Sequence, residues 1–137
     1  MTIVNGKTLE TPEVPVSWGE LVDKITILEI KAQRLESDTA RANVRNELRL
    51  LAEKAQPLFA ANAGAEALKT RLTVVNEALW DIEDSLRQAE ARKAFDDDFI
   101  RLARSVYINN DERARIKREI NLLSASELME EKSYKPY

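Results

Sequence analysis

The sequence predicts an all-α fold: an antiparallel helical bundle built on long heptad-patterned helices, with short C-terminal helices and a short extended N-terminal segment. Three observations predict it. The 137 residues include only three Gly and four Pro, while the strong helix formers Ala, Leu, Glu, Arg and Lys recur throughout. Apolar residues return at alternating spacings of three and four along three successive segments. Residues suited to capping a helix N-terminus stand where those segments begin.

Each element has its own reason. In residues 1–16, Thr2-Ile3-Val4 and Lys7-Thr8-Leu9-Glu10 flank Asn5-Gly6, a pair that accepts the positive φ of a two-residue hairpin turn. A lone hairpin is marginal, so a packed hairpin and a frayed tail are equal alternatives. Pro12 and Pro15 hold an extended lead-in. Helix 1 starts at Ser17, where Ser17 and Glu20 have the spacing of a capping box. Leu21, Ile25, Leu28, Ala32 and Leu35 form its seam, and Val22, Ile27 and Ile30 lie off it. A helix that is apolar on more than one side is central or touches two partners.

Ser37-Asp38-Thr39 is the expected break. Helix 2 then repeats the rhythm with Val44, Leu48, Leu51, Ala55 and Leu58, and Pro57 is expected to kink or end it. Helix 3, from Ala65 to about Arg92, keeps its seam through Leu68, Leu72, Val75, Leu79, Ile82, Leu86 and Ala89. Such a rod is roughly 40 Å long and needs a partner along its length. Asp96 caps a short helix 4 that turns Phe99, Leu102, Ala103 and Val106 inward. Asn109 with Glu112 has the spacing of a further capping box, which predicts a break and a helix 5 presenting Ile116, Ile120 and Leu123. The expected organisation is one domain, 1–137: lead-in 1–16, long-helix core 17–92, shorter helices 95–124 and a C-terminal arm 125–137. A folded monomer of this mass exposes roughly 7,000 Å².

Composition excludes several functions. No Cys and no His are present, which removes disulfides, thiolate chemistry and imidazole as base or metal ligand. No polybasic tract offers itself to nucleic acid, and the formal net charge is -3. No apolar run approaches a membrane span, and the N-terminus does not read as a signal peptide, so a cytoplasmic location is expected. No glycine-rich phosphate loop or nucleophile elbow appears. No catalytic residue, cofactor or metal is expected.

Four constellations stand out. Glu77, Asp81 and Asp84 share one face of helix 3, although Glu83 and Arg87 can absorb the local charge and a solvated face is the simpler reading. Trp80 lies off the seam of helix 3, and Trp18 adjoins the cap of helix 1. Together with Val22, Ile27 and Ile30 they are the candidate interface residues. The basic set around Asn109-Asn110 suggests an anion site in which Arg104, Tyr107, Asn110 and Arg113 hold a phosphate or carboxylate at a helix start. Lys24, Lys31 and Arg34 decorate helix 1, with Glu47 and Glu83 as possible partners.

Val14 to Glu20, Asp23 to Lys31, Ala78 to Asp84, Phe99 to Asn110, Ile116 to Asn121 and the Glu130 to Pro136 tail together resemble a family of small, uncharacterised bacterial helical proteins. The resemblance runs from Val14 to the end and implies no activity. A looser likeness links the long helices to the helical chorismate mutases, dimers in which Arg and Lys between long helices hold a dicarboxylate. Lys24 and Arg34 occupy a comparable first helix, but the seams of helices 2 and 3 carry no basic residue. The function expected from the residues is a non-enzymatic, coiled-coil-like assembly or interaction protein that forms a homodimer. The alternative is a small enzyme or binding protein for an anionic metabolite.

Overall fold

A computed structural model describes residues 2–137. A β-hairpin, β1 (Thr2–Val4) and β2 (Lys7–Leu9), precedes four helices: α1 (Trp18–Arg34), α2 (Asp38–Ala61), α3 (Ala65–Ala91) and α4 (Asp97–Leu123). The hairpin forms as the Asn-Gly pair dictates, with φ of 51° at Asn5 and 75° at Gly6. Its strands pair only with each other among the described elements. It is neither packed on the helices nor an unstructured tail.

The caps act where the sequence places them. Ser17 Oγ accepts from the Glu20 amide, Ser37 Oγ from the Ala40 amide and Asp96 from the Phe99 amide. One expectation narrows and one is corrected. Pro57 does not end helix 2, since it lies inside α2, which continues to Ala61. Asn109 does not restart a helix, and predicted helices 4 and 5 are the single 27-residue α4. The Asn109 side chain donates instead to the Ser105 carbonyl, one turn back. A side chain that satisfies itself within a helix leaves no reason for a break.

The core explains why α1 is apolar on several sides. It packs on α2, on α3 and on α4. One cluster joins Val22, Leu58, Ala65, Leu72, Val75, Ile116 and Ile120, and a second joins Leu21, Ile25 and Ala55. Trp18 and Phe59 pack against both. Along the α3 seam Leu72, Val75 and Ala89 are buried, and Leu68, Leu79, Ile82 and Leu86 are half-buried. By contrast, α2 meets α3 only sparsely, and Leu58 and Ala65, on either side of their corner, share the larger cluster. The result is a central helix with α2 on one side and the α3–α4 hairpin on the other. Its accessible surface is 9762 Å², well above the roughly 7,000 Å² of a monomer of this mass.

Candidate functional site

The most concentrated chemistry lies where α1 crosses α3 and α4. Asp23 is in the middle of α1, on a helix whose other inward positions are mostly apolar. Its side chain is 1% exposed. A carboxylate so placed has lost its water and needs donors from the protein. Two side chains supply them. Arg113 donates from Nε to Oδ1 and Oδ2, both at 3.1 Å, and from Nη2 to Oδ2 at 2.7 Å. Asn76 donates from Nδ2 to Oδ1 at 2.9 Å and to Thr26 Oγ1 at the same distance. Thr26 in turn donates to the Asp23 carbonyl at 2.7 Å. Among the described residues no buried side-chain nitrogen or oxygen is left without a partner.

One turn further along α4, Lys117 sits buried between two carboxylates. Its Nζ is 2.7 Å from Glu20 Oε2, 2.6 Å from Glu130 Oε2 and 3.9 Å from Asp23 Oδ2. Burial works against the ammonium. The hydrogen bonds to Glu130 and Glu20, with the Asp23 charge, outweigh it and hold the Lys117 pKa above the usual lysine value. The Lys117 hydrogen bond is the largest influence on Glu130 and keeps that carboxyl below the usual range. Glu20 thus spends its side chain on α4 rather than closing a capping box with Ser17.

The N-terminus of α1 is pressed against α4. The Gly19 amide donates to Asn121 Oδ1 at 2.7 Å. A Cβ on Gly19 would lie 2.4 Å from the Lys117 carbonyl oxygen, so only glycine allows this approach. The Trp18 amide reaches Ser126 Oγ at 3.4 Å.

A polar groove of about 310 Å³ opens above this junction, lined by Glu20, Asn110, Arg113, Lys117, Glu130 and Lys132. The structure therefore brings Asn110 and Arg113 of the predicted anion site together, but not as that site. Arg113 is committed to Asp23. Arg104 is exposed and does not line the groove. Tyr107 faces the C-terminal arm, where its ring meets that of Tyr137 at 4.9 Å. Arg113, Lys117 and Lys132 are balanced by Asp23, Glu20 and Glu130, which leaves no net positive charge to draw an anion. Nor is there a helix start at Asn110 to offer free amides.

The predicted interface set divides. Val22 is fully buried in the larger core cluster and Trp18 is half-buried between the two clusters, so neither is a surface contact. Ile27, Ile30 and Trp80 do converge, with Leu79 and Arg113, on an apolar groove of about 320 Å³ between α1, α3 and α4. Trp80 carries the Arg34 guanidinium 5.8 Å from its ring centroid, and Arg34 pairs with Asp81 at 2.5 Å. This pairing takes Asp81 out of the carboxylate triplet. Among the described residues no group of carboxylates is placed to hold a metal ion. Lys24 and Lys31 form no ion pair among the described residues, and Arg34 is occupied, so the dicarboxylate clamp of the looser likeness is not assembled.

Sequence reasoning missed Asp23, Thr26, Asn76 and Asn121 as a group. The signal was available in helix 1, where Asp23 and Thr26 interrupt an otherwise apolar surround and must find partners once that helix is central.

In comparison with known proteins, the pattern of a family of unknown function, DUF6165, matches residues 12–137. No curated protein and no solved structure matches the chain. No helix is long and apolar enough to cross a membrane among the described residues.

Proposed function

The chain belongs to the DUF6165 family of unknown function, and on that footing we propose that it is a non-enzymatic helical assembly protein that pairs with a second copy of itself along the outer face of α4. The observation that carries this reading is the surface of 9762 Å², roughly a third more than a monomer of this mass exposes. A specific dimer covers about 800 Å² per partner, which the excess accommodates.

The apolar residues on that face support the choice of α4. Ile100 and Ile108 are 53% and 46% exposed, and their spacing puts them on one stripe of the helix with Arg104, next to Tyr107 and Asp111, which hold Tyr137 of the arm. The balanced charges of the polar junction, and the absence there of a nucleophile or free base, favour a structural over a catalytic role.

Light scattering across a dilution series tests the reading. The expected mass is twice the 15.6 kDa of the chain, and Ile100→Glu with Ile108→Glu is expected to return a folded monomer. A wild-type chain that is fully helical and monomeric at high micromolar concentration would overturn it.

A further inference from the structure

The β1–β2 hairpin is the one part of the secondary structure that touches no helix among the described residues. Its strands hydrogen-bond only to each other, and two strands alone are marginal in water. The family pattern begins at residue 12, after the hairpin has ended, so the hairpin is an addition to the bundle rather than a part of its packing. Residues 10–16 carry it outward as an exposed stalk without helix or strand. Pro12 and Pro15 stiffen that stalk, and Glu13 ties it to Lys54 of α2 at 3.7 Å. Ile3 is left 70% exposed.

The register fixes which backbone groups are left over. Val4 faces Lys7 across the turn, and Ile3 faces Thr8. The pair that closes a two-residue loop is hydrogen-bonded, and bonded and unbonded pairs alternate along an antiparallel ladder. The amide and carbonyl of Ile3 therefore point out along one edge, and those of Thr8 along the other. The two edges differ. β2 carries Lys7 and runs on into Glu10 and Pro12, residue types that blunt an edge against further pairing. β1 holds no charged residue and no proline, so it is the open edge.

We propose that β1 pairs antiparallel with β1 of a second copy, so that two hairpins become one four-stranded sheet. A two-fold axis through Ile3 sets that residue opposite its own twin. There the two exchange both main-chain hydrogen bonds, and their side chains form an apolar cross-strand pair. No like charges meet, because β1 holds none. Four strands exceed the three that an independent sheet needs. A second copy is the fitting occupant, since an isologous contact requires a single self-matching edge and β1 is one. This rests on the homodimer reading and orients it. Gly19 donates to Asn121, so each stalk leaves beside the C-terminal end of α4. Each stalk reaches up to about 25 Å when extended, which brings the hairpins together when the two α4 helices run parallel.

Proline substitution tests the pairing in the full chain. A proline is tolerated in a strand where its missing N–H faced outward. Ile3→Pro therefore spares the hairpin's own ladder and blocks the added strand, and Thr8→Pro is the matched control on the edge that the pairing leaves unused. Light scattering across a dilution series reads the dissociation constant of each variant, and circular dichroism checks that the helices are intact. Ile3→Pro is expected to raise the constant by at least about tenfold, for the two hydrogen bonds lost between the copies, and Thr8→Pro to leave it unchanged. A dimer in which neither substitution acts, or both act equally, overturns the strand pairing and leaves the homodimer standing. A wild-type monomer overturns both. Amide exchange followed by NMR is the independent measurement. The Ile3 amide should exchange more slowly than that of Thr8 in the dimer, and as fast in the Ile100→Glu, Ile108→Glu variant. Equal exchange of the two amides in the dimer would also overturn the pairing.

Discussion

Arg113 grips Asp23 with two nitrogens across 90 residues of sequence, the closest approach being 2.7 Å, and the carboxylate it holds is 1% exposed while the arginine side chain is 30% exposed. The asymmetry matters. The buried partner cannot find water if the arginine is lost, whereas the arginine can turn outward if the aspartate is lost. The pair thereby fixes one crossing of α1 over α4, and Asn76 fixes the same carboxylate to α3.

Arg113→Ala is accordingly expected to destabilise the fold by about 3–5 kcal/mol, the cost of leaving a buried charge uncompensated. Arg113→Lys keeps the charge but lacks the planar fork, so it should recover less than half of that loss. Urea denaturation monitored by helicity measures both. Equal stability of wild type and Arg113→Ala would mean that Asp23 takes water the structure denies it.

Gly19 is the steric counterpart of that electrostatic lock. A methyl group there meets the backbone of Lys117 at 2.4 Å and the Asn121 side chain at 2.9 Å. The backbone cannot yield as a flexible side chain does. Gly19→Ala should therefore cost about 2 kcal/mol and lower the thermal midpoint by several degrees. Exposed Gly64, with its nearest neighbour at 3.7 Å, is the control position, where alanine should be tolerated.

The arm gives stability a definite pH dependence. Lys117 holds the Glu130 pKa below its ordinary value, so Glu130 binds its proton less readily folded than unfolded. Its contribution is complete above the unfolded carboxyl pKa and is lost as pH falls through the lower folded value. Lys117 has the opposite sign. Its raised pKa makes its contribution complete below the ordinary lysine value and lost as pH rises through the folded one. Glu130→Gln should flatten the acid limb of the stability profile and shrink the alkaline one. An unaltered profile would detach Glu130 from Lys117.

Pro57 offers a gain rather than a loss. It is exposed inside α2 and removes one donor from a helix that continues past it. Pro57→Ala should restore the hydrogen bond and raise stability by about 1–2 kcal/mol, the helix-interior penalty less the entropy returned to the unfolded chain. Thermal unfolding followed by circular dichroism reads the increase.

The helices were legible because each seam repeats a spacing that only a helix can present on one side. Leu72 and Val75 are buried as their positions in the seam of α3 require. The continuity of α4 was not legible. Asn109 and Glu112 carry the spacing of a cap, and nothing local reveals that Asn109 turns back to Ser105 while Glu112 reaches Arg115 and Arg71. The polar junction was hidden for a different reason. Asp23, Asn76 and Arg113 come from three helices, and their meeting depends on a crossing that no one-dimensional period encodes. Arg113 and Asn110 were singled out as free donors for a ligand. The partner that removes Arg113 from that role lay 90 residues away.

The placement of α2 has a consequence for how the molecule comes apart. Beyond the corner at Leu58 and Ala65, this helix leans on α1, while α1 is held by α3 and α4 as well. Amide protons of α2 should then trade with solvent earliest among the four helices, and those of the α3–α4 pair last. A protein arranged this way frays from one side as a graded series of openings, and its most exchangeable part is the long rod that depends on a single neighbour.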